Sequence, residues 1–132
     1  MKLTPHPGPF RLTLGERGER AACAFLKEHG YEILETNYKC KLGEIDVIAR
    51  RRGRLAFIEI KTRTSAQFGM PQEAVNFQKQ EKIFKVSQWY LKEKKSAKTS
   101  VAFDVVAILW REGEVPEIRL IADAFEKEDK PY

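Results

Sequence analysis

The stretch from Gly43 to Thr62, G-E-I-D-V-I-A-R-R-R-G-R-L-A-F-I-E-I-K-T, limits what this chain can fold into more than any other. Residues 43–50 and 54–61 each alternate with a period of two and are rich in β-branched side chains, which predicts two strands. Gly53, inside a basic run, marks a tight turn between them. A two-residue turn at Arg52-Gly53 pairs Arg51 with Arg54. Ile45 then faces Ile60, Val47 faces Ile58 and Ala49 faces Ala56, one apolar face against another. A slip of one residue would set apolar side chains against charges on both faces, so this register is the expected one. On the opposite face it sets Glu44 beside Lys61 and Asp46 beside Glu59.

Around this hairpin the chain reads as one α/β domain of residues 12–125. Residues 1–11, with Pro5, Pro7 and Pro9, predict a loose arm. A helix is expected from Thr13 or Gly15 to about His29, closed by Gly30. Its core stripe is Ala22, Phe25, Leu26 and His29, and steps of three and four carry that stripe back to Gly15, Gly18 and Glu19. Glu19 is thus either a core-facing acid or a first-turn acid favoured by the helix dipole. Residues 31–39 predict a first strand, with Tyr31 and Ile33 on one face and Leu34 and Tyr38 on the other.

A polar loop over 62–73 leads to a second helix over about 73–95. Its apolar positions are Ile83, Val86, Tyr90 and Leu91, with Phe84 and Trp89 at the margins. Its other face carries Lys79, Lys82, Lys85 and Lys92, a solvated surface or a phosphate contact. The apolar run 101–110 suits a strand buried on both faces, interrupted by Asp104 in a structural or a functional role. A last edge strand is expected over 115–122, and 126–132 reads as a frayed tail. The second helix would cross over to a strand parallel with the third, giving a mixed sheet.

Carboxylates directly opposed in a ladder, with Cβ atoms about 5 Å apart, are destabilising. They resist joint ionisation unless a positive group sits between them. Lys61 is one such group; a hard divalent cation, Mg2+ or Mn2+, is another. Asp46 and Glu59 would hold the metal, with the backbone carbonyl of Ile60 as a further ligand. Glu19 would complete the shell directly or through water. Lys61 would orient or deprotonate a water, or stabilise developing negative charge. Chemistry at a phosphodiester accounts for all these residues. The structural reading of the same side chains is a surface network worth little energy.

Charge and cysteine content agree with this without requiring it. Lys plus Arg number 24 against 19 Asp plus Glu, a net charge of +5, compatible with a polyanionic partner. The hairpin-tip residues Arg50, Arg51, Arg52 and Arg54 are either a solvated turn or a hold on a nucleic-acid backbone. Cys23 and Cys40 have no metal-site spacing, so Cys23 is expected as a small buried residue and Cys40 in a turn, in a reducing compartment. No apolar run nears the roughly 18 residues of a membrane span and no secretory signal is evident, so a cytoplasmic location and no membrane partner are expected.

The residues Gly18-Glu19, Gly43-Glu44-Ile45-Asp46, Ile58-Glu59-Ile60-Lys61-Thr62-Arg63 and Phe103-Asp104-Val105-Val106 resemble the bacterial YraN-like (UPF0102) family. That family in turn resembles the restriction-endonuclease-like superfamily with its PD-(D/E)-x-K pattern, most closely the archaeal Holliday-junction resolvases. The resemblance implies an αβββαβ core flanked by helices and Mg2+- or Mn2+-dependent cleavage of DNA, branched or damaged DNA among its forms. It makes Asp46 and Glu59 metal ligands, Lys61 the catalytic lysine and Glu19 the acid of the first helix. Arg63 belongs to the E-x-K-x-R motif, and Lys79 falls where such folds offer a phosphate contact. Ile45 stands where the motif's name has proline. Two cuts in a junction favour a homodimer, although no dimer face is evident. The competing expectation is a non-catalytic nucleic-acid-binding or protein-interaction module on the same fold.

Overall fold

The computed structural model describes residues 11–65, 75–96 and 98–126. The element order is α1 (Leu14–Glu28), β1 (Glu32–Cys40), β2 (Gly43–Arg51), β3 (Arg54–Arg63), α2 (Phe77–Glu93), β4 (Val101–Leu109) and β5 (Glu117–Phe125). The five strands form one mixed sheet in sequence order. β1, β2 and β3 are antiparallel, β4 is parallel to β3 through the α2 crossover, and β5 is antiparallel to β4. The α/β expectation and the parallel crossover therefore hold. The second helix starts at Phe77 behind the N-cap Asn76 rather than at about 73, because the Asn76 side chain accepts from the Lys79 N–H. The arm at residues 1–10 and the tail from 127 lie outside the described residues.

Thr13 caps α1 in a capping box: its backbone N–H donates to Glu16 Oε1 at 2.8 Å and its Oγ1 accepts from Glu16 N–H at 3.1 Å. Gly30, at φ +87°, ends the helix as expected. Ala22 and Leu26 are buried against β2, β3 and β4, with Val47, Ala49, Ile58 and Val106. His29 is not on the core stripe; it is exposed and stacks on Phe25 at 3.9 Å. On the other face, α2 packs Ile83, Phe84, Val86 and Tyr90 against Ile45, Phe57 and Phe103. Phe84 is core rather than marginal, because its ring meets Phe103 edge-on at 4.8 Å. Full burial of a side chain such as Phe57 contributes about 1.5–3 kcal/mol.

β4 is buried continuously from Ala102 to Ile108, as an apolar run between two helices should be. Asp104 within it accepts from Tyr31 Oη at 2.9 Å and from the Asp123 N–H at 2.8 Å. It ties β4 to the irregular step in β5 where Asp123 takes φ +49°. Cys40 ends β1 rather than sitting in a turn, and Cys23 is half-buried rather than buried.

The hairpin register holds from Arg51–Arg54 through Ala49–Ala56 to Val47–Ile58, where the ladder stops. The expected pairs Ile45–Ile60, Asp46–Glu59 and Glu44–Lys61 do not form as ladder pairs. Ile45 turns instead to the α2-side core, two residues from Val47 on the α1 side. The break lies beside Asn37 of β1, which adopts φ +52° between the partners of Val47 and Ile45, Thr36 and Tyr38. A left-handed residue reverses strand alternation, and nothing in the apolar pattern announces it.

Candidate active site

Where β2 and β3 part, the freed backbone is taken up by Asp46. Its Oδ2 accepts from the Ile60 N–H at 2.8 Å. The next residue back on β3, Glu59, is only 4% exposed. Lys79 of α2 forms an ion pair with Glu59 Oε2, and Lys61 Nζ lies 3.7 Å from the same oxygen. Two carboxylates and two ammonium groups thus converge at the end of β3, one lysine from the strand and one from the helix. Lys79 is therefore neither simply a solvated residue nor free for phosphate; helical periodicity does not separate it from Lys82 or Lys85, and only the family resemblance marks it.

The electrostatics follow from this packing. Burial, and then the Glu59 charge beside it, push the Asp46 carboxyl up to about 7, while the Ile60 N–H acts the other way. Burial and then the neighbouring Lys79 lower the Lys61 ammonium below the ordinary lysine value. Burial opposes the Lys79 charge as well, yet its bonds to Glu59 and Lys61 carry it above that value. One lysine is held charged and the other is brought toward giving up its proton, the division a site needs for electrostatic and proton-transfer roles.

Asp46 borders two hollows. One, of about 230 Å3, includes Glu59, Lys79 and Lys82 on the α2 side. The other, of about 450 Å3, includes Glu19, Ile60 and Lys61 on the α1 side. Glu19 is half-buried and reaches this groove, so the core-facing reading of it holds; its Oε1 accepts from Asn37 Nδ2 at 2.6 Å. Gly18 makes the approach possible, since a Cβ there would overlap the Thr62 hydroxyl. Among the described residues no three Asp, Glu, His or Cys side chains gather as a metal-binding group. The oxygens near a cation at this point are those of Asp46 and Glu59, with Ile60 and Glu19 on the groove.

Arg63 closes β3, and its Nε is a buried donor with no hydrogen-bond partner among the described residues. Arg51, Arg52 and Arg54 are not brought to the site. They lie at the other end of β3, roughly 20 Å from Lys61 by strand rise.

A profile of the Uncharacterised protein family UPF0102 matches residues 18–108, the span from the Gly18 contact through β4. The chain belongs to this family. A UPF0102 protein of Geotalea daltonii is 49% identical over 114 residues, covering 86% of this chain and 90% of its own. One of Syntrophus aciditrophicus is 46% identical over 121 residues, covering 89% and 94%. One of Caldanaerobacter subterraneus is 46% identical over 98 residues, covering 74% and 80%. The UPF0102 match thus contains every member of the acid–lysine cluster, and no helix among the described residues is long and apolar enough to cross a membrane.

Proposed function

We propose that this protein is a metal-dependent endonuclease of restriction-endonuclease-like fold that hydrolyses DNA phosphodiesters, with branched DNA the first substrate to try. One observation carries the reading: Asp46 and the buried Glu59 are held together at the end of β3 with Lys61 and Lys79 on the same carboxylate. Burying two acids is costly, and a lysine held below its ordinary value beside them is a pattern that clusters at functional sites. The αβββα order that precedes β4 supports the fold assignment.

The donor set suits Mg2+ or Mn2+: hard carboxylate oxygens, with the Asp46 carboxyl raised by burial and by the Glu59 charge beside it. Asp46, Glu59 and the Ile60 carbonyl would hold it, with Glu19 reaching it through water. When bound, it supplies polarisation of the phosphate and a water of lowered pKa. Lys61 accepts a proton from the attacking water or faces the developing negative charge. With Glu59 engaged by a cation, Lys79 would be free to face a phosphate oxygen. A cytoplasmic protein acting on DNA, as a homodimer where two cuts are needed, completes the proposal.

A non-catalytic nucleic-acid-binding module is the second reading. The Lys79–Glu59 ion pair favours it, since an internal cation already neutralises the acid. Incubation with four-way, nicked and linear DNA and with RNA, plus Mg2+ or Mn2+, separates the two. Cleavage lost in Asp46→Ala supports the nuclease; binding without cleavage of any substrate supports the module.

A further inference from the structure

A second arrangement lies at the end of the sheet away from Lys61. α1 stops at Glu28, and beyond it a hollow of about 250 Å3 opens over Ala56, Ala102 and Ala122. Methyl side chains leave this space; larger residues at the same strand positions would fill it. Its wall is a fixed polar network. Tyr31 Oη donates to Asp104 Oδ2 at 2.9 Å and accepts from Arg51 Nη1 at 3.3 Å. The Arg51 guanidinium also lies 4.9 Å from the Tyr31 ring centroid. Arg54 is held by the Val101 carbonyl at 2.7 Å and by Asp123 at 3.3 Å.

Arg52 differs from these neighbours. It lines the hollow and has no hydrogen-bond or ion-pair partner among the described residues. It also stands at φ +52° before Gly53 at φ +77°, the type I′ turn geometry that favours Asn, Asp or Gly at its position. A long cation held in a conformation other residues adopt more easily, at the mouth of a hollow, points to a use for its charge.

The lining describes what would fit. The floor is apolar. Each Asp104 oxygen has accepted one hydrogen bond and keeps a second lone pair, so the wall accepts from N–H groups. The rim carries the Arg54–Asp123 ion pair and, beside it, the Arg52 charge, which no described residue neutralises. A flat heterocycle bearing N–H groups and a phosphate uses all three; a bare anion uses the rim alone. The volume lies just under the range of small-molecule pockets, about 300–1,000 Å3, and excludes a duplex.

We propose that this hollow binds a single unpaired nucleotide, its base on the alanine floor against Tyr31 and Asp104 and its phosphate on Arg52. The site stands apart from the acid cluster and does not depend on whether that cluster cleaves DNA.

The test is an amide-resolved NMR titration of the full chain with thymidine 5′-monophosphate, with inorganic phosphate and thymidine in separate arms. The nucleotide should shift the amides of Tyr31, Arg52, Ala102 and Ala122, and bind more tightly than either fragment. Arg52→Ala should weaken binding about five-fold or more, as loss of a charge-assisted contact does. Ala122→Leu, an exposed position that tolerates substitution, should block it while the spectrum stays folded. Equal affinity for phosphate alone, shifts centred on Asp46 and Lys61, no shifts at millimolar nucleotide, or unchanged binding by folded Ala122→Leu would each overturn the assignment.

Discussion

Asp46 takes the Ile60 N–H at 2.8 Å on a carboxyl that burial and Glu59 push up to about 7. Its nearness to Glu59 is the part of the hairpin expectation that holds, although the ladder pairing behind that expectation does not form. Its actual partner, the Ile60 N–H, was not legible, because the ladder breaks where Asn37 goes left-handed. The proton on Asp46 has a consequence for stability. Its folded value of about 7 lies above the ordinary 3.8, so the native state binds that proton more tightly than the unfolded chain. Stability from this group is present below about pH 4, declines as pH rises toward 7 and stays reduced above it. Denaturant unfolding from pH 4 to 8 without divalent ions should find a shallower decline in Asp46→Asn than in wild type; equal slopes would place the proton elsewhere. Gly18 makes a separate prediction. Gly18→Ala should lose about 1–3 kcal/mol in the same measurement, because α1 must lift from Thr62. Adding Thr62→Ala should restore part of that loss, and strict additivity would contradict the contact.

At the scale of elements, the two helices do different work for the site. α1 is positioned by its capping box and the Gly18 approach, which together bring Glu19 to the groove. Periodicity revealed that helix and the face of Glu19, because a glycine beside an acid on an otherwise apolar stripe is visible in sequence. α2 contributes Lys79, and here the pattern misled: Lys79 sits on a lysine-bearing face, and only the tertiary approach to β3 turns it inward. Lys79→Ala should destabilise the metal-free protein by about 1–3 kcal/mol, less than for a fully buried pair because the lysine is part-exposed. Mg2+ should recover more of the loss in the variant than it adds to wild type, read as the shift in thermal midpoint. A variant that ignores Mg2+ would separate Glu59 from metal binding. The hollow at the far end of the sheet was illegible for a simpler reason: it is an absence of side-chain volume where α1 stops, and alanines in strands carry no signal for it.

At the scale of the molecule, the mixed sheet was readable because one apolar run, β4, interrupted only by Asp104, suits a central strand, and the helix before it allows a parallel return. The net charge of +5 gives a sign but no place, and so did not locate an interface. Contact with three or four DNA phosphates predicts a roughly 10²-fold loss of affinity between 50 and 200 mM salt, measurable by fluorescence anisotropy. A flat salt response would remove nucleic acid as the partner. The most direct measurement is single-turnover cleavage of a four-way DNA junction in Mg2+ or Mn2+, with binding measured on the same preparations. Wild type should cut, while Asp46→Ala and Lys61→Ala should bind the junction and cut about 10²-fold more slowly or not at all. Cleavage at the wild-type rate by both variants, or binding by wild type with no cleavage in either metal, would contradict a nuclease at the end of β3.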